Sequence, residues 1–322
     1  MRAVTTRREL LAASAGLALS ACGGSRRVVI GVVPKATAHI FWQTVQAGAL
    51  AAGQEFHVDI EWNGPPAETE YSRQIQIIDS LVARHVNALA IAATDRTALI
   101  APVERAVKAG IPVVIFDSGL DSDQYLTFLA TNNYQGGQMA ARKLGELIGG
   151  KGKVAMVMLA PGSYSTMERE RGFRDVIAKE FPGVEIAAEQ YSMSDRAKGL
   201  AAAENMLSAH PDLAGMFASA EPGSVGASLA IKQRDLAGKV KLVTFDSTEG
   251  LIEELKAGVI DAMVVQDPFR MGFEAVHTLV EHLKGKPPAK RIDLTPTLVT
   301  KGNLEQPEIH KLLHPDVQKY LK

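Results

Sequence analysis

The sequence predicts an α/β protein made of two similar halves, each built on a parallel sheet. Short apolar, β-branched runs alternate with stretches whose apolar residues recur at helical spacing, as right-handed βαβ units require. Two of the apolar runs end alike, in Phe116-Asp117-Ser118 and in Phe245-Asp246-Ser247. Because the same strand ending occurs in both halves, we expect two sheets of similar plan, each with an acid at its carboxyl edge.

The first half is predicted to alternate strands and helices from its start. Its strands are short apolar runs, and its helices carry apolar residues on one face, as at Phe41, Val45 and Ala49. We predict strands at Val28–Val33, Val58–Trp62, Ala88–Ala92 and Ile111–Phe116, an apolar segment at Leu126–Ala130, and helices at Phe41–Phe56, Tyr71–Val82 and Leu99–Ala109.

The second half repeats this alternation after Thr131-Asn132-Asn133. Glycines at 149, 150 and 152 follow a helix and precede a strand, so they indicate a helix stop and a turn rather than a phosphate-binding loop. We predict strands at Val154–Leu159, Val184–Gln190, Leu213–Ala218, Val240–Phe245, Ala262–Val265 and Thr297–Val299, and helices at Tyr134–Ile148, Met167–Phe181, Ala197–Ala209, Val225–Asp235, Leu251–Ala257, Met271–Leu283 and Pro307–Leu313.

Three short polar stretches are the predicted crossings between the halves: 131–133, 266–268 and 294–297. They divide the chain into an N-terminal domain (28–131 plus 267–295) and a C-terminal domain (132–266 plus 296–322). Several short crossings form a hinge, and closure of such a hinge traps a ligand.

The first 27 residues have the layout of an export signal and a linker. Three arginines precede the apolar run Leu10–Leu19, which is too short to span a bilayer, and small residues follow it. Leu19-Ser20-Ala21-Cys22 resembles the lipobox of bacterial lipoproteins, which predicts lipidation of Cys22. Residues 6–11 also resemble, loosely, a twin-arginine signal. Since Cys22 is the only cysteine, the mature chain would have no thiol for a disulfide, a metal site or catalysis.

Composition and motifs argue against several classes of function. The formal net charge of −1 gives no general attraction to nucleic acid or to an anionic surface. The sequence has neither a G-x-S-x-G elbow nor a G-x-x-x-x-G-K-[ST] loop. The pairs His310/His314 and His277/His282 do not form a metal site by spacing. We therefore expect no metal, no cofactor and no enzymatic activity.

The two acids that end the buried strands are the strongest candidate site residues. Ligands of open α/β sheets collect at the carboxyl edge, where Asp117 and Asp246 are predicted to lie. One alternative is an acid–base pair, as in glycosidases. The other is that each acid caps the following helix, an interpretation that stays open for Asp246 because Ser247-Thr248-Glu249 and a helix follow it.

From Val28 to its end, the chain resembles the periplasmic sugar-binding proteins of bacterial ABC transporters, the ribose-binding-like group. The resemblance implies two Rossmann-like domains joined by a multi-stranded hinge, the type I periplasmic binding protein fold, closing over one monosaccharide. It implies that Lys35, His39, Phe41 and Trp42 form the first binding loop. Aromatic faces in that loop suit the C–H face of a sugar ring. Ordinary core packing is the alternative role for Phe41 and Trp42.

The same resemblance supplies the remaining site residues. It places sugar-hydroxyl acceptors at Asp117 and Asp246, a guanidinium at Arg169, and an amide at Gln266 on the last crossing. Arg171, close to Arg169, is expected to face outward.

Four positions depart from the ribose-binding pattern, which argues against ribose itself. Ser118 replaces an arginine, Ala220 an asparagine, Ser194 an aromatic residue, and Lys35 a small hydroxyl residue. Ser118 and Ala220 are still expected to contact the ligand. Lys35 could pair with Asp117, in which case sugar hydroxyls would bridge the two. It could instead meet a negatively charged or keto group of the ligand.

The resemblance therefore implies a lipid-anchored solute-binding protein that delivers a monosaccharide-like ligand to an ABC permease. We expect an exported monomer at the periplasmic or cell-surface face of a membrane, anchored through Cys22. A sensory module that presents the sugar to a membrane receptor is the alternative. A repressor core of this fold would need a helix-turn-helix where the export signal lies. A glycosidase using Asp117 and Asp246 lacks further signatures.

Overall fold

The computed structural model describes residues 27–321, so the predicted signal segment and Cys22 lie outside the described residues. The first of two six-stranded sheets has the order β11-β5-β4-β3-β1-β2, and all its strand pairs are parallel. Its strands are β1 (Val29–Val33), β2 (Asp59–Trp62), β3 (Ala88–Ile91), β4 (Val113–Phe116), β5 (Thr127–Thr131) and β11 (Arg291–Leu294).

The second sheet has the order β12-β10-β9-β8-β6-β7, parallel except where β12 runs antiparallel to β10. Its strands are β6 (Lys151–Met158), β7 (Gly183–Tyr191), β8 (Leu213–Ala218), β9 (Lys241–Phe245), β10 (Ala262–Val265) and β12 (Thr297–Val299). We call the first sheet with the helices that pack on it lobe 1, and the second sheet with its helices lobe 2.

Ten helices flank the sheets in the described part of the chain. They are α1 (Ile40–Phe56), α2 (Tyr71–Ala83), α3 (Ile100–Lys108), α4 (Asn133–Leu147), α5 (Tyr164–Glu180), α6 (Arg196–Ala209), α7 (Glu221–Gln233), α8 (Glu249–Ala257), α9 (Pro268–Leu283) and α10 (Pro307–Leu313). Between residues 27 and 321, none of these helices has the length and apolar character needed to cross a membrane.

Apolar side chains pack on both faces of each sheet. Strands β3 and β4 are buried along their whole length, which explains why they read as continuous apolar runs rather than as alternating patterns. In lobe 1, one core cluster includes Val32 and Val114, and the cluster on the other face includes Leu89 and Ile115. Lobe 2 likewise has a cluster on each face of its sheet. The sheets are therefore rigid platforms whose edges can hold a site.

The two lobes use the same helix contact. In lobe 1, α1 meets α9 so closely that a Cβ atom on Gly48 would lie 1.9 Å from the carbonyl oxygen of Phe269. In lobe 2, α4 meets α5 so closely that a Cβ atom on Gly137 would lie 1.9 Å from the carbonyl oxygen of Arg169. Only glycine permits backbones to approach this closely, so both lobes depend on it at equivalent places.

The predicted α/β architecture with two parallel sheets is confirmed, with two corrections. The chain passes between the sheets after β5, after β10 and after β11. The segment after Pro288, where no strand was predicted before Thr297, contains β11, the edge strand beside β5. Its sequence, Arg-Ile-Asp-Leu, is too short and polar to stand out as a strand. Helix α7 begins at Glu221, four residues earlier than predicted, and Pro222 lies in its first turn.

Candidate ligand-binding site

A cavity lies between the lobes at the carboxyl ends of both sheets. It is lined by three groups of residues: the loop and helix start after β1, side chains from loops of both sheets, and the crossing at Gln266. The lining residues are Lys35, His39, Phe41, Trp42, Glu68, Asp117, Leu159, Ser165, Thr166, Arg169, Ala220, Glu221, Pro222, Asp246 and Gln266. Nine of the ten residues predicted to bind ligand are in this group, and Ser118 is not.

Asp117 and Asp246 end their strands in the same unusual backbone conformation. Their φ angles are +57° and +68°, in the left-handed region that non-glycine residues seldom adopt. Each is held there by the neighbouring strand: the Asp117 amide donates to the Leu129 carbonyl, and the Asp246 amide donates to the Val264 carbonyl, at 3.0 and 2.9 Å. Strain of this kind concentrates at functional sites, and here it occurs at both acids.

Asp246 is held by partners within lobe 2. Its Oδ1 accepts a hydrogen bond from Gln266 Nε2 at 2.7 Å, and its Oδ2 accepts one from the backbone amide of Glu221 at 3.0 Å. The helix that follows, α8, is capped instead by Thr248, whose hydroxyl accepts from the Leu251 amide. Asp246 therefore does not cap the helix after its own strand, and that alternative is wrong.

Asp117 has a different environment. It is only 3% exposed, yet no side chain or amide among residues 27–321 hydrogen-bonds to its carboxyl group. Desolvation on burial raises its pKa to about 6, and the positive charges of Lys35 and Arg169 limit that rise. The carboxylate of Asp117 is thus a buried acceptor that lacks donors.

Arg169 organises the lobe 2 side of the cavity. Its Nε donates to Asn133 Oδ1 at 2.7 Å, and its Nη1 donates to the Ser219 carbonyl at 2.9 Å. Nη1 also lies 3.7 Å from Asp246 Oδ2, and the guanidinium stacks over the Phe245 ring at 3.8 Å. These contacts on both edges and one face fix the plane of the guanidinium.

Glu170 lies behind Arg169 and connects the loops of lobe 2. Its Oε1 accepts from the Ser219 hydroxyl at 2.9 Å and from the Leu159 amide at 3.4 Å. Desolvation raises the pKa of this buried carboxyl to about 7, while Ser219 and the Arg174 guanidinium lower it. Because Ser219 also accepts from Arg169, Glu170 positions the loop that holds the guanidinium.

Lys35 is paired with a residue that the sequence analysis missed. Its ammonium lies 2.8 Å from Glu68 Oε2 and donates to the Ser163 hydroxyl at 2.9 Å. The ammonium therefore pairs with Glu68 and not with Asp117, which was the first of the two roles left open for Lys35. Trp42 Nε1 donates to Glu68 Oε1 at 2.9 Å. Desolvation raises the pKa of Glu68, but Lys35, His39 and Trp42 outweigh it and hold that pKa below its usual value.

The aromatic residues of the first loop serve the core and the cavity together. Trp42 is 1% exposed, packs in the lobe 1 core against Phe116, and still lines the cavity. Phe41 meets Trp42 edge to face at 4.9 Å. His39 lies just before the start of α1, and its Nδ1 is 3.9 Å from Glu221 Oε2 across the cleft. Trp42 thus packs in the core and also lines the cavity.

Ser118, predicted to bind ligand, contacts the other lobe instead. Its buried hydroxyl accepts a hydrogen bond from the Ser165 amide at 3.3 Å. Ser118 is not among the residues that line the cavity, and its hydroxyl takes part in a contact between the lobes. Arg171 is exposed, pairs with Glu168 and stacks on Tyr134, outside the cavity.

Two carboxylates in the cavity wall, Glu68 and Glu221, were not predicted. Glu68 follows Gly64-Pro65-Pro66 at the carboxyl end of β2, a stretch in which no site residue was predicted. Glu221 directly precedes Pro222, and a proline in the first turn of a helix is the signal that would have placed it correctly.

Within residues 27–321, three hydrogen bonds outside the crossing segments join lobe 1 to lobe 2. Besides the Lys35–Ser163 and Ser165–Ser118 contacts, the Arg96 amide donates to the Gly162 carbonyl at 2.9 Å. The lobes are thus closed on each other around the cavity.

The fold and this cavity define a class of protein, and comparison with known proteins supports it. The chain matches the model of the periplasmic binding protein domain over residues 30–287, and it belongs to that family. Its two mostly parallel sheets with flanking helices form a type I periplasmic binding protein fold, as the resemblance implied.

The similar proteins are sugar-binding components of importers. The ribose import binding protein of Bacillus subtilis is 32% identical over 70% of this chain and 72% of its own. A D-ribose/D-allose-binding protein of Pseudomonas aeruginosa is 29% identical over 91% of this chain and 96% of its own. A carbohydrate transporter solute-binding protein of Agrobacterium radiobacter, solved with D-arabinose, is 35% identical with a TM-score of 0.88, covering 90% of this chain and all of its own.

A second solved structure binds a different sugar. An ABC transporter solute-binding protein of Agrobacterium vitis, solved with D-fucose, is 37% identical with a TM-score of 0.86, covering 89% of this chain and all of its own.

Proposed function

We propose that this protein is the solute-binding lipoprotein of an ABC importer. It captures a monosaccharide or a related small polyol between its lobes and delivers it to the permease. The observation that carries this proposal is the convergence of Asp117, Asp246, Arg169 and Gln266 on one closed cavity at the carboxyl ends of both sheets.

The chemistry of these side chains suits a sugar. Asp117 offers two carboxylate oxygens without donors, and Gln266 Oε1 is buried without a partner among the described residues. Vicinal hydroxyls supply such donors, and Arg169 supplies planar N–H groups for the oxygens of the same ligand. The faces of Phe41 and Trp42 suit the C–H groups of a ring.

The proposed localisation follows from the predicted signal and from the family. Export to the periplasm fits a periplasmic binding protein, and lipidation of Cys22 would anchor the protein at the membrane face where a permease lies. Radiolabelled palmitate incorporation in cells expressing the full chain tests this step, and Cys22→Ala should abolish it.

Sugar binding itself is testable by thermal unfolding. A ligand that binds only the folded state raises the melting temperature. We expect at least one sugar in a panel of pentoses, hexoses and their deoxy derivatives to raise the melting temperature of the mature protein. The Gln266→Ala variant should lose this response.

Gln233→Ala is the matched control, because Gln233 is exposed at the end of α7. It should respond to the sugar as the wild type does. No response of the wild type to any sugar would contradict the proposed function.

A further inference from the structure

Glu68 lies in the cavity wall and contacts the only lysine there. It follows β2 in lobe 1, its side chain is 9% exposed, and both of its oxygens face donors. Lys35 lies 2.8 Å from Oε2, and Trp42 Nε1 lies 2.9 Å from Oε1. The indole therefore orients the carboxylate toward the ammonium. A buried pair held in this way leaves Lys35 with little net charge to offer a ligand.

Arg169, the other permanent cation of the cavity, also has partners within the protein. Arg169 donates to Asn133 and to the Ser219 carbonyl and lies 3.7 Å from Asp246. Four carboxylates, those of Glu68, Asp117, Glu221 and Asp246, thus line a cavity that contains two permanent cations. Arg196 pairs with Glu221, but from outside the cavity lining.

The unpartnered polar atoms in this wall are acceptors. Glu221 Oε2 and Gln266 Oε1 are buried and accept no hydrogen bond within residues 27–321, and the Asp117 carboxyl group has no donor there either. A ligand that completes these groups must bring donors, which hydroxyl groups do. A ligand carboxylate or phosphate brings further acceptors and a negative charge, which the four carboxylates repel.

We propose that Glu68 is a specificity-determining residue: by neutralising Lys35 it restricts the site to uncharged sugars and excludes sugar acids and sugar phosphates. This inference rests on the proposed function, and it argues against the second role that the sequence left open for Lys35, which is pairing with a negatively charged group of the ligand. Without Glu68, Lys35 would be a free buried cation able to pair with an acidic sugar.

Calorimetric titration with matched neutral and acidic sugars tests the role of Glu68. The probe pairs are D-galactose and D-galacturonate, D-glucose and D-glucuronate, D-ribose and D-ribose 5-phosphate, and D-arabinose and D-arabinose 5-phosphate. In its preferred pair, the wild type should bind the neutral sugar at least about 100-fold more tightly than the acidic one, and this affinity ratio is the quantity compared between variants. Glu68→Gln should narrow that ratio by about tenfold or more, because it leaves the charge of Lys35 uncompensated.

Three further variants control for structural damage. Glu70→Gln removes an exposed carboxylate two residues away and should leave the ratio unchanged. The double variant Lys35→Met, Glu68→Gln removes both charges and should keep the wild-type preference. Glu68→Asp keeps the charge but withdraws it from Lys35, so a several-fold narrowing is expected even if Glu68→Gln is too unstable to purify.

The outcomes separate this inference from the proposed function. An unchanged ratio in Glu68→Gln or Glu68→Asp, with neutral binding retained, overturns the role of Glu68 and leaves sugar binding intact. A wild type that prefers the acidic member does the same. If the wild type binds none of the eight sugars and none of the pentoses, hexoses and deoxy derivatives of the thermal panel, the proposed function fails and the specificity role fails with it.

Discussion

Asp117 and Asp246 occupy equivalent places at the ends of β4 and β9, yet their side chains meet different neighbours. Both have positive φ angles, and the backbone amide of each donates a hydrogen bond to the adjacent strand. Asp246 accepts hydrogen bonds from Gln266 and from the Glu221 amide, whereas Asp117 accepts none from the described residues. In the same backbone conformation, the Asp246 carboxylate thus already accepts hydrogen bonds, whereas the Asp117 carboxylate accepts none from the described residues.

This difference indicates that the two lobes contribute differently to ligand binding. The lobe 2 half of the site is ordered by its own hydrogen bonds, which lowers the cost of ordering it when a ligand binds. The lobe 1 acid is satisfied only when a donor enters the cavity. A ligand that brings hydroxyls to Asp117 therefore stabilises the closed arrangement of the lobes.

Asp246→Asn should have the largest effect, because it removes a structural and a ligand-binding group together. Asparagine tolerates the positive φ, but its NH₂ must face one of the two donors that the carboxylate now accepts from. We expect a loss of about 2–3 kcal/mol in the free energy of unfolding, measured by urea denaturation, and sugar affinity weakened by 100-fold or more. Unchanged stability would show that the Asp246 contacts are not structural.

Asp117→Asn should weaken sugar affinity by about 100-fold while leaving stability intact, because no donor within residues 27–321 hydrogen-bonds to this carboxyl group. Since burial raises the pKa of Asp117 to about 6, its ionisation costs the folded state stability as pH rises from about 4 to about 6. The asparagine variant avoids that cost, so at pH 8 it should be at least as stable as the wild type. A marked loss of stability would contradict the comparison.

Glu170→Gln should reveal a pH-dependent cost within lobe 2. The pKa of Glu170 is raised to about 7 in the folded state, so the folded protein favours the protonated form and loses stability as pH rises from about 4.5 to about 7. The variant should be about 1–3 kcal/mol more stable than the wild type at pH 8 and equal to it at pH 4.5. Urea unfolding at both pH values checks this, and a difference independent of pH would contradict it.

Ser118→Ala should have the smallest effect. It removes the acceptor of one hydrogen bond between the lobes, from the Ser165 amide, without touching the cavity wall. We expect sugar affinity to weaken about two- to tenfold, with the melting temperature of the free protein nearly unchanged. A loss comparable to that of Asp117→Asn would return Ser118 to the ligand-binding residues.

The fold was predictable because the strands are buried on both faces. Continuous apolar runs such as Val113–Phe116 alternate with helices, so the order of elements shows in the sequence. The positions of Asp117 and Asp246 followed, since a parallel sheet brings the ends of its strands to one edge. The edge strand at Arg291–Leu294 escaped prediction because it is polar and takes its conformation from pairing with β5.

The partners within the site could not be predicted in the same way. From the sequence, Lys35 was expected near Asp117. The sequence did not show that Glu68, on the next loop, would form the ion pair with Lys35. Ser118 was assigned by its place in the chain, whereas its hydroxyl points to Ser165 of the other lobe. Such pairings depend on how separate loops meet, and no local pattern records that.

The fluorescence of Trp42 during a sugar titration tests the central claim most directly. Trp42 lines the cavity, and Trp62 is the only other tryptophan, so a Trp62→Phe variant makes the signal specific to the cavity. With the sugar that raises the melting temperature, we expect the Trp42 fluorescence to change until it saturates at one sugar per protein. Asp117→Asn should weaken the affinity obtained from this titration about 100-fold. An unchanged Trp42 signal at sugar concentrations that stabilise the protein would contradict a site between the lobes.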